Sequence, residues 1–270
     1  MAHIETALRD LNRLDLLATG NSPMHRLDPR AKVLVTLVYI VTVVSFGRYE
    51  VSALLPFAIF PVVVATSSAL PPSVLIRKLM VVLPFAAVVG LFNPFFDREI
   101  LMTLGPLAVS GGWLSFVSII LRAVLTVGTA LALVAVTGFS GVCMALERFG
   151  VPQAFVVQLL FLYRYIFVLG DEGLRMARAR ELRSFAGRGM GLRVYGSLVG
   201  SLLLRTWERA ERIHMAMLSR GFRGEFHIRR ECRFGRRELL FTLGWCAIFM
   251  LLRFVNVPQL IGALVTGVFQ

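Results

Sequence analysis

AVLTVGTALALVAVTGFSGVCMAL, residues 123–146, runs for 24 residues without a charged side chain. As a helix it exceeds the roughly 20 residues that cross a hydrocarbon core of about 30 Å. Residues 51–70, 79–96 and 100–121 form further uncharged stretches of similar length. Residues 33–47 and 239–252 are shorter candidates, the latter continuing past Arg253 into another apolar run. Segments that are apolar all round are not surface helices of a soluble domain. The reading is therefore an all-α, polytopic membrane protein with about five transmembrane helices.

The composition agrees. Hydrophobic residues make up 57% of the chain, mean hydropathy is +0.74 and the formal charge is +13. High hydropathy together with strong basicity is the mark of a membrane protein whose cytoplasmic loops collect Lys and Arg. Arg26, Arg30 and Lys32 precede the first span, and Arg77 and Lys78 precede the third. The turn after the first span offers only Arg48 and Glu50, and residues 97–112 hold one arginine and two acids. An N-in arrangement places the basic groups together, with spans near 31–48, 51–69, 77–96, 113–139 and 239–257. The implied domains are an interfacial segment (1–30), four membrane helices (31–139), a cytoplasmic arginine-rich domain (140–238), and a last span with an apolar tail (239–270). In the first of these, Ile4, Leu8, Leu11 and Leu14 recur at helical spacing, as in a helix lying on the membrane surface. The tail from Pro258 is too short to cross.

Residues 149–163 are apolar but short and are followed at once by Arg164. A crossing there would put the arginine block outside, against the charge rule. The expectation is one long helix over 152–183, cytoplasmic or half-sunk at the interface, with Arg164, Asp171, Arg175 and Arg178 on one face.

Within that block a short pattern occurs twice. Ala179-Arg180-Glu181-Leu182-Arg183-Ser184-Phe185 and Ala216-Met217-Leu218-Ser219-Arg220-Gly221-Phe222 both read alanine, three residues, arginine, a very small residue, phenylalanine. Arg175 and Arg212 stand one helical turn before the two alanines. Arginine at a helix C-terminus is favoured by the dipole, and its planar fork binds carboxylates or carbonyls bidentately. Gly221 can take the left-handed conformation that ends a helix, and Ser184 is small enough for close approach. A duplicated arginine-tipped helix end implies docking with two copies of a partner.

Residues 197–220 form an amphipathic helix with Leu203, Trp207, Ala210, His214, Met217 and Leu218 on one side. Arg205, Glu208, Arg209, Arg212 and Ala216 fall on the other. Glu208 precedes Arg212 by four residues, the favourable order for an ion pair. The apolar side needs a cover, and the helix over 152–183 is the nearest candidate. Gly187, Gly189 and Gly191 read as a flexible link between the two. Arg229, Arg230, Arg233, Arg236 and Arg237, just before the last span, suit an anionic lipid surface.

Other chemistry finds little support. No P-loop signature occurs, so the chain is not itself an ATPase. Asp171 and Glu172, the one acidic pair beside an apolar run, look like structural partners for neighbouring arginines rather than catalytic groups. His3, His25, His214 and His227 are scattered, so no metal or other cofactor is expected, and Cys143, Cys232 and Cys246 read as unpaired thiols. Pro56, Pro61, Pro84 and Pro94 interrupt helices 2 and 3, and Arg122 and Arg253 lie within snorkelling reach of the outer interface.

HRLDPRAK at 25–32, LFLYRYIFVLGDEGLRMARARELRSF at 160–185 and LRTWERAERIHMAMLSRGFRG at 204–224 resemble the CbiQ-type transmembrane component of energy-coupling factor transporters. With the span pattern, the resemblance covers about residues 20–257. It implies a non-catalytic subunit in the inner (cytoplasmic) membrane that joins two cytoplasmic ATP-binding cassette ATPases to a separate substrate-binding membrane protein. Nucleic acid is not among the implied partners. Each coupling helix of that family ends in an Ala-Arg-Gly-like motif that enters a groove on one ATPase. The motif arginines are then Arg183 and Arg220, with Arg180, directly after Ala179, as the alternative in the first copy. The implied cargo is cobalt; nickel or a vitamin is the alternative, and a self-sufficient ion permease with a basic cytoplasmic domain is the rival reading. A permease would need polar or acidic groups lining a path, and the spans offer little beyond Thr, Ser and Asn93.

Overall fold

The computed structural model describes residues 6, 12, 15–20, 22–96, 100–104, 107–183, 192–222, 224 and 235–255. Ser184, most of the N-terminal segment, the glycines at 187–191, Cys232 and the tail from 256 lie outside the described residues. The chain divides into two compact units, 17–138 with 232–270, and 1–16 with 139–231.

The first unit opens with α1 (Pro23–Arg26) and α2 (Pro29–Val44). Their joint explains the histidine and aspartate of HRLDPRAK. The Leu17 carbonyl can only accept, so the Nε2–H of His25 donates to it at 3.0 Å, leaving Nδ1 to accept from the Ser22 hydroxyl at 2.7 Å. Asp28 is the N-cap of α2, its carboxylate accepting from the Arg30 N–H at 2.9 Å, and Pro29 takes the position where a missing N–H costs nothing.

After α2 come α3 (Val51–Leu54), a 3₁₀ turn (Leu55–Ala58) and α4 (Ile59–Ser67). The prolines expected to interrupt this span do so. Residue 61 is proline, so the Phe57 carbonyl lacks its i+4 donor; the buried Tyr39 hydroxyl of α2 donates to it at 3.0 Å. α5 (Pro72–Leu91) keeps Pro84 inside it, and Pro94 sits in the first turn of α6 (Asn93–Phe96). The loop beyond folds as an antiparallel hairpin, β1 (Ile100–Leu104) and β2 (Leu107–Ser110), the one β element among the described residues. The fold is otherwise all-α.

α7 (Gly111–Thr137) is the central helix and touches α2, α3, α4, α5 and α6. Ser115, Ser118, Gly128, Thr129, Ala132 and Ala135 are buried along it, small side chains that let helix backbones approach within a membrane. α11 (Arg236–Phe254) packs on α2. There Tyr39, Phe57, Phe60 and Phe249 meet with ring centroids 5.0–6.1 Å apart, tilted, stacked or edge-on, as their quadrupoles favour.

Arg122 and Arg253 are more than snorkelling side chains. An Nη2–H of Arg122 donates to the Gly47 carbonyl at 2.5 Å, and one of Arg253 donates to the Ser45 carbonyl at 3.2 Å. The Arg253 guanidinium also lies 4.4 Å from the Phe46 ring centroid and 4.0 Å from Glu50. Arg253 thus satisfies the Ser45 carbonyl at the C-cap of α2, at the negative pole of its dipole. Arg122 adds a second donor to the Gly47 carbonyl, which also accepts from the Glu50 N–H.

The second unit contains α8 (Phe139–Arg148), α9 (Gln153–Arg183) and α10 (Leu192–Ser219). Among the described residues three helices, α5, α7 and α9, are long and apolar enough to cross a membrane, and residues Val51–Ser67 form a shorter apolar stretch.

Candidate functional site

The candidate site is built on α9 and α10. α8 leads into it: the Val151 N–H donates to the Leu146 carbonyl and the Gly150 N–H to that of Glu147. With Gly150 at φ +95° this is a Schellman stop, and Pro152 follows where the helix cannot continue. α9 then runs unbroken for 31 residues, matching the single helix expected over 152–183. Its last two turns, Met176–Arg183, are strong helix formers throughout.

α10 ends on the same device. The Phe222 N–H donates to the Met217 carbonyl at 3.0 Å and the Gly221 N–H to that of Leu218 at 2.9 Å, with Gly221 at φ +78°. Arg220 therefore occupies the C-cap. It is exposed at the negative end of the helix dipole, where a cation is favoured. Arg183 is the last described residue of α9 and is likewise exposed, as are Ala179, Arg180 and Ala216.

α9 and α10 touch over a short stretch rather than along their length. Arg205 of α10 reaches Glu172 of α9 at 3.1 Å, and Arg175 holds the other oxygen of that carboxylate at 2.7 Å. Beside this bridge, a Cβ on Gly173 would stand 3.7 Å from Leu202 Cδ2. Arg175 and then Arg205 hold the Glu172 carboxyl below its ordinary pKa, because both stabilise its ionised form. One and two turns further along the same face of α10, Glu208 and Arg212 lie 3.8 Å apart. At 1.5 Å per residue, Arg183 lies about 15 Å along α9 from Gly173, and Arg220 about 27 Å along α10 from Leu202. The two arginines lie on different helices, each remote from the crossing.

One expectation fails. The apolar side of α10 is not covered by α9: Leu203 is 66% exposed, Trp207 72% and Leu218 50%. The meeting surface instead carries Leu202 and Arg205, whose guanidinium reaches a carboxylate on α9 while staying largely exposed. The bridge spans 33 residues of sequence, so no local spacing signals it; only the acid at Glu172 beside Gly173 hints at a polar crossing. Among the described residues, no three His, Cys, Asp or Glu side chains are grouped as a metal site would need.

Comparison with known proteins now decides the family. The model of the cobalt transport protein family CbiQ matches residues 20–230, which take in HRLDPRAK, α9, α10 and both arginine tips. The chain belongs to the CbiQ family. An uncharacterized protein of Methanocaldococcus jannaschii is 26% identical, over 77% of this chain and 74% of its own length. The energy-coupling factor transporter transmembrane protein EcfT of Thermosediminibacter oceani is 28% identical, over 76% of this chain and 82% of its own. The cobalt transport protein CbiQ of Rhodobacter capsulatus is 31% identical over a shorter stretch, 31% of this chain and 34% of its own. This is a family of transporter components, not of enzymes, and the apolar helices of this CbiQ relative make it a multi-pass membrane protein.

Proposed function

We propose that this chain is the non-catalytic transmembrane coupling subunit of an ATP-driven uptake transporter of the energy-coupling factor type, in the inner membrane, with cobalt ions as the cargo. The supporting observation is the pair of exposed arginines, Arg183 in the last described turn of α9 and Arg220 at the C-cap of α10, on two helices tied at Glu172–Arg205. Two such arms suit two ATP-binding cassette ATPases, each accepting one arginine through carboxylates or carbonyls. ATP-driven movement of the ATPases would shift the arms, and the membrane helices would pass the movement to a separate substrate-binding membrane subunit. The names of the energy-coupling relatives favour that assembly, and the family description favours cobalt.

The distribution of basic residues along the sequence supports a cytoplasmic place for α9 and α10. A crossing α9 would send the arginines of 175–183 and 205–220 to the opposite side from Arg26, Arg30, Lys78 and Arg236, against the usual distribution of basic loops.

The test is co-purification of the tagged chain with its ATPase in detergent, comparing wild type with Arg183→Glu/Arg220→Glu. Both side chains are exposed at helix ends, so the variant inserts and folds. Loss of the ATPase in this variant, but not in Arg209→Glu on the same helix, is the expected outcome. Retention of the ATPase in all three sinks the assignment. Single variants at Arg180 and Arg183 then decide the register of the first arm.

A further inference from the structure

A cavity of about 740 Å³ opens in the first unit between α1, α4 and α11. Its polarity changes along its length. Arg237 and Glu238 stand at the start of α11, Phe241 one turn further in and Trp245 one turn beyond that. The distance from Arg237 to Trp245 along the axis is about 12 Å. The facing wall follows the same order, with Ser67 at the end of α4 and Val63 one turn deeper. Arg26, the last residue of α1, adds a second guanidinium to the lining.

The charges do not cancel. Neither Arg26 nor Arg237 has an ion-pair partner among the described residues. The one carboxylate in the lining is occupied elsewhere. Gly235, the N-cap of α11, has no side chain, and Glu238 turns back to accept its N–H at 2.9 Å. Arg236 and Arg237 are the first two residues of that helix, where the dipole disfavours cations. With two guanidinium groups against one carboxylate the lining carries excess positive charge, and an anion held by Arg26 and Arg237 would offset both that excess and the helix dipole. A soluble anion would leave the aromatic shaft empty, whereas an amphiphile fills mouth and shaft together.

We propose that this slot binds one anionic phospholipid, its phosphate between Arg26 and Arg237 and an acyl chain along Val63, Phe241 and Trp245. The site is separate from the arginine-tipped arms, and nothing in it depends on the ATPase reading.

Trp245 is a built-in reporter. Trp113→Phe/Trp207→Phe leaves it as the sole indole, and this chain is reconstituted in phosphatidylcholine vesicles. A small mole fraction of brominated phosphatidylglycerol is compared with the same fraction of brominated phosphatidylcholine. The expected result is an enrichment of about tenfold for the anionic lipid at Trp245, seen as stronger quenching. Arg26→Gln/Arg237→Gln removes the preference and leaves quenching by the neutral lipid intact, which shows that the bundle is still folded. Arg229→Gln/Arg230→Gln keeps the preference. Equal quenching by the two lipids in the parent overturns the proposal, as does a preference that survives loss of Arg26 and Arg237. Loss in the Arg229/Arg230 control overturns it in favour of a diffuse basic surface, and abolition by added inorganic phosphate overturns it in favour of a soluble anion.

Discussion

In the first unit, rings from three helical segments and a 3₁₀ turn converge, and the largest side chains, Tyr39, Phe57 and Phe249, are at most 1% exposed. In the second, two of the longest helices in the chain meet over a short stretch through one carboxylate and two arginines, while Trp207 stays 72% exposed. The first unit is specified by its own interior: the Phe57 carbonyl freed by Pro61 and the Ser45 carbonyl at the end of α2 are met by named side chains, Tyr39 and Arg253. The second has a small interior where α8 meets the start of α9, with Cys143 and Val156 buried and Phe139 stacked on Tyr163. Its α9–α10 crossing, however, is specified by strong helix formers, a left-handed glycine stop and one ion-pair bridge. Such a unit holds its helices in shape without fixing its outer faces. That is the physical profile of a lever, and it is why the coupling reading belongs to this half of the molecule.

The sharpest way to break this contrast is to cut one aromatic from each half. Phe249 contacts Tyr39, Phe57, Phe60 and Trp245 with ring centroids within 6.1 Å. Phe249→Ala leaves a cavity among them and is expected to cost about 3–5 kcal/mol. Trp207→Ala, at an exposed position, is expected to change the stability of the isolated chain by no more than about 0.5 kcal/mol. Thermal unfolding of the two purified variants measures both. Equal losses would mean that α10 has a buried face within this chain and that the second unit is not open.

These differences also mark how far the sequence could be read. The long uncharged runs carry membrane helices because length and absence of charge are local properties, and α9 shows its full extent for the same reason. Gly221 was legible as a stop because only its backbone needs matter. The partner of a face was not legible. Leu203 and Trp207 look the same in sequence whether they meet a helix, lipid or another protein, and the bridge from Glu172 to Arg205 joins residues that no periodicity links. Tyr39 donating to Phe57 likewise depends on two segments whose register only packing fixes. Arg220 was readable as a helix end, whereas the end expected after Arg183 falls on residues outside those described. The roles of the two arginines are not written in spacing and rest on the proposal above.

A smaller effect separates the two arms. Gly221 sits at φ +78°, which an L-residue adopts only with strain, and its N–H closes the Schellman stop behind Arg220. Gly221→Ala is expected to cost about 1 kcal/mol at that helix end and to let Arg220 wander. Binding of the ATPase should weaken while the helical content of α9 is untouched. Circular dichroism together with ATPase titration checks both. Unchanged ATPase affinity would show that the position of Arg220 is set by the partner rather than by the stop.

The least expected change comes from Glu172, whose bridge is open to solvent and to salt. Its carboxyl is held below its ordinary pKa by Arg175 first and Arg205 second, so the ionised form is the one that ties α9 to α10. A lowered folded-state pKa contributes stability that is fully present above the unfolded value and is lost as pH falls through the folded one. The tie is therefore expected to be intact at neutral pH and to loosen only in acid, below the usual carboxylate range. Glu172→Gln should reproduce the acid state at neutral pH and remove the pH dependence. Spin labels at exposed positions 178 and 209 report it as a broader interhelical distance distribution, and high salt should broaden the wild type in the same direction. If the distribution is unchanged by acid, by salt and by Glu172→Gln alike, the arms are held by the contact of Gly173 with Leu202. The lever would then be joined by close packing at one glycine rather than by charge.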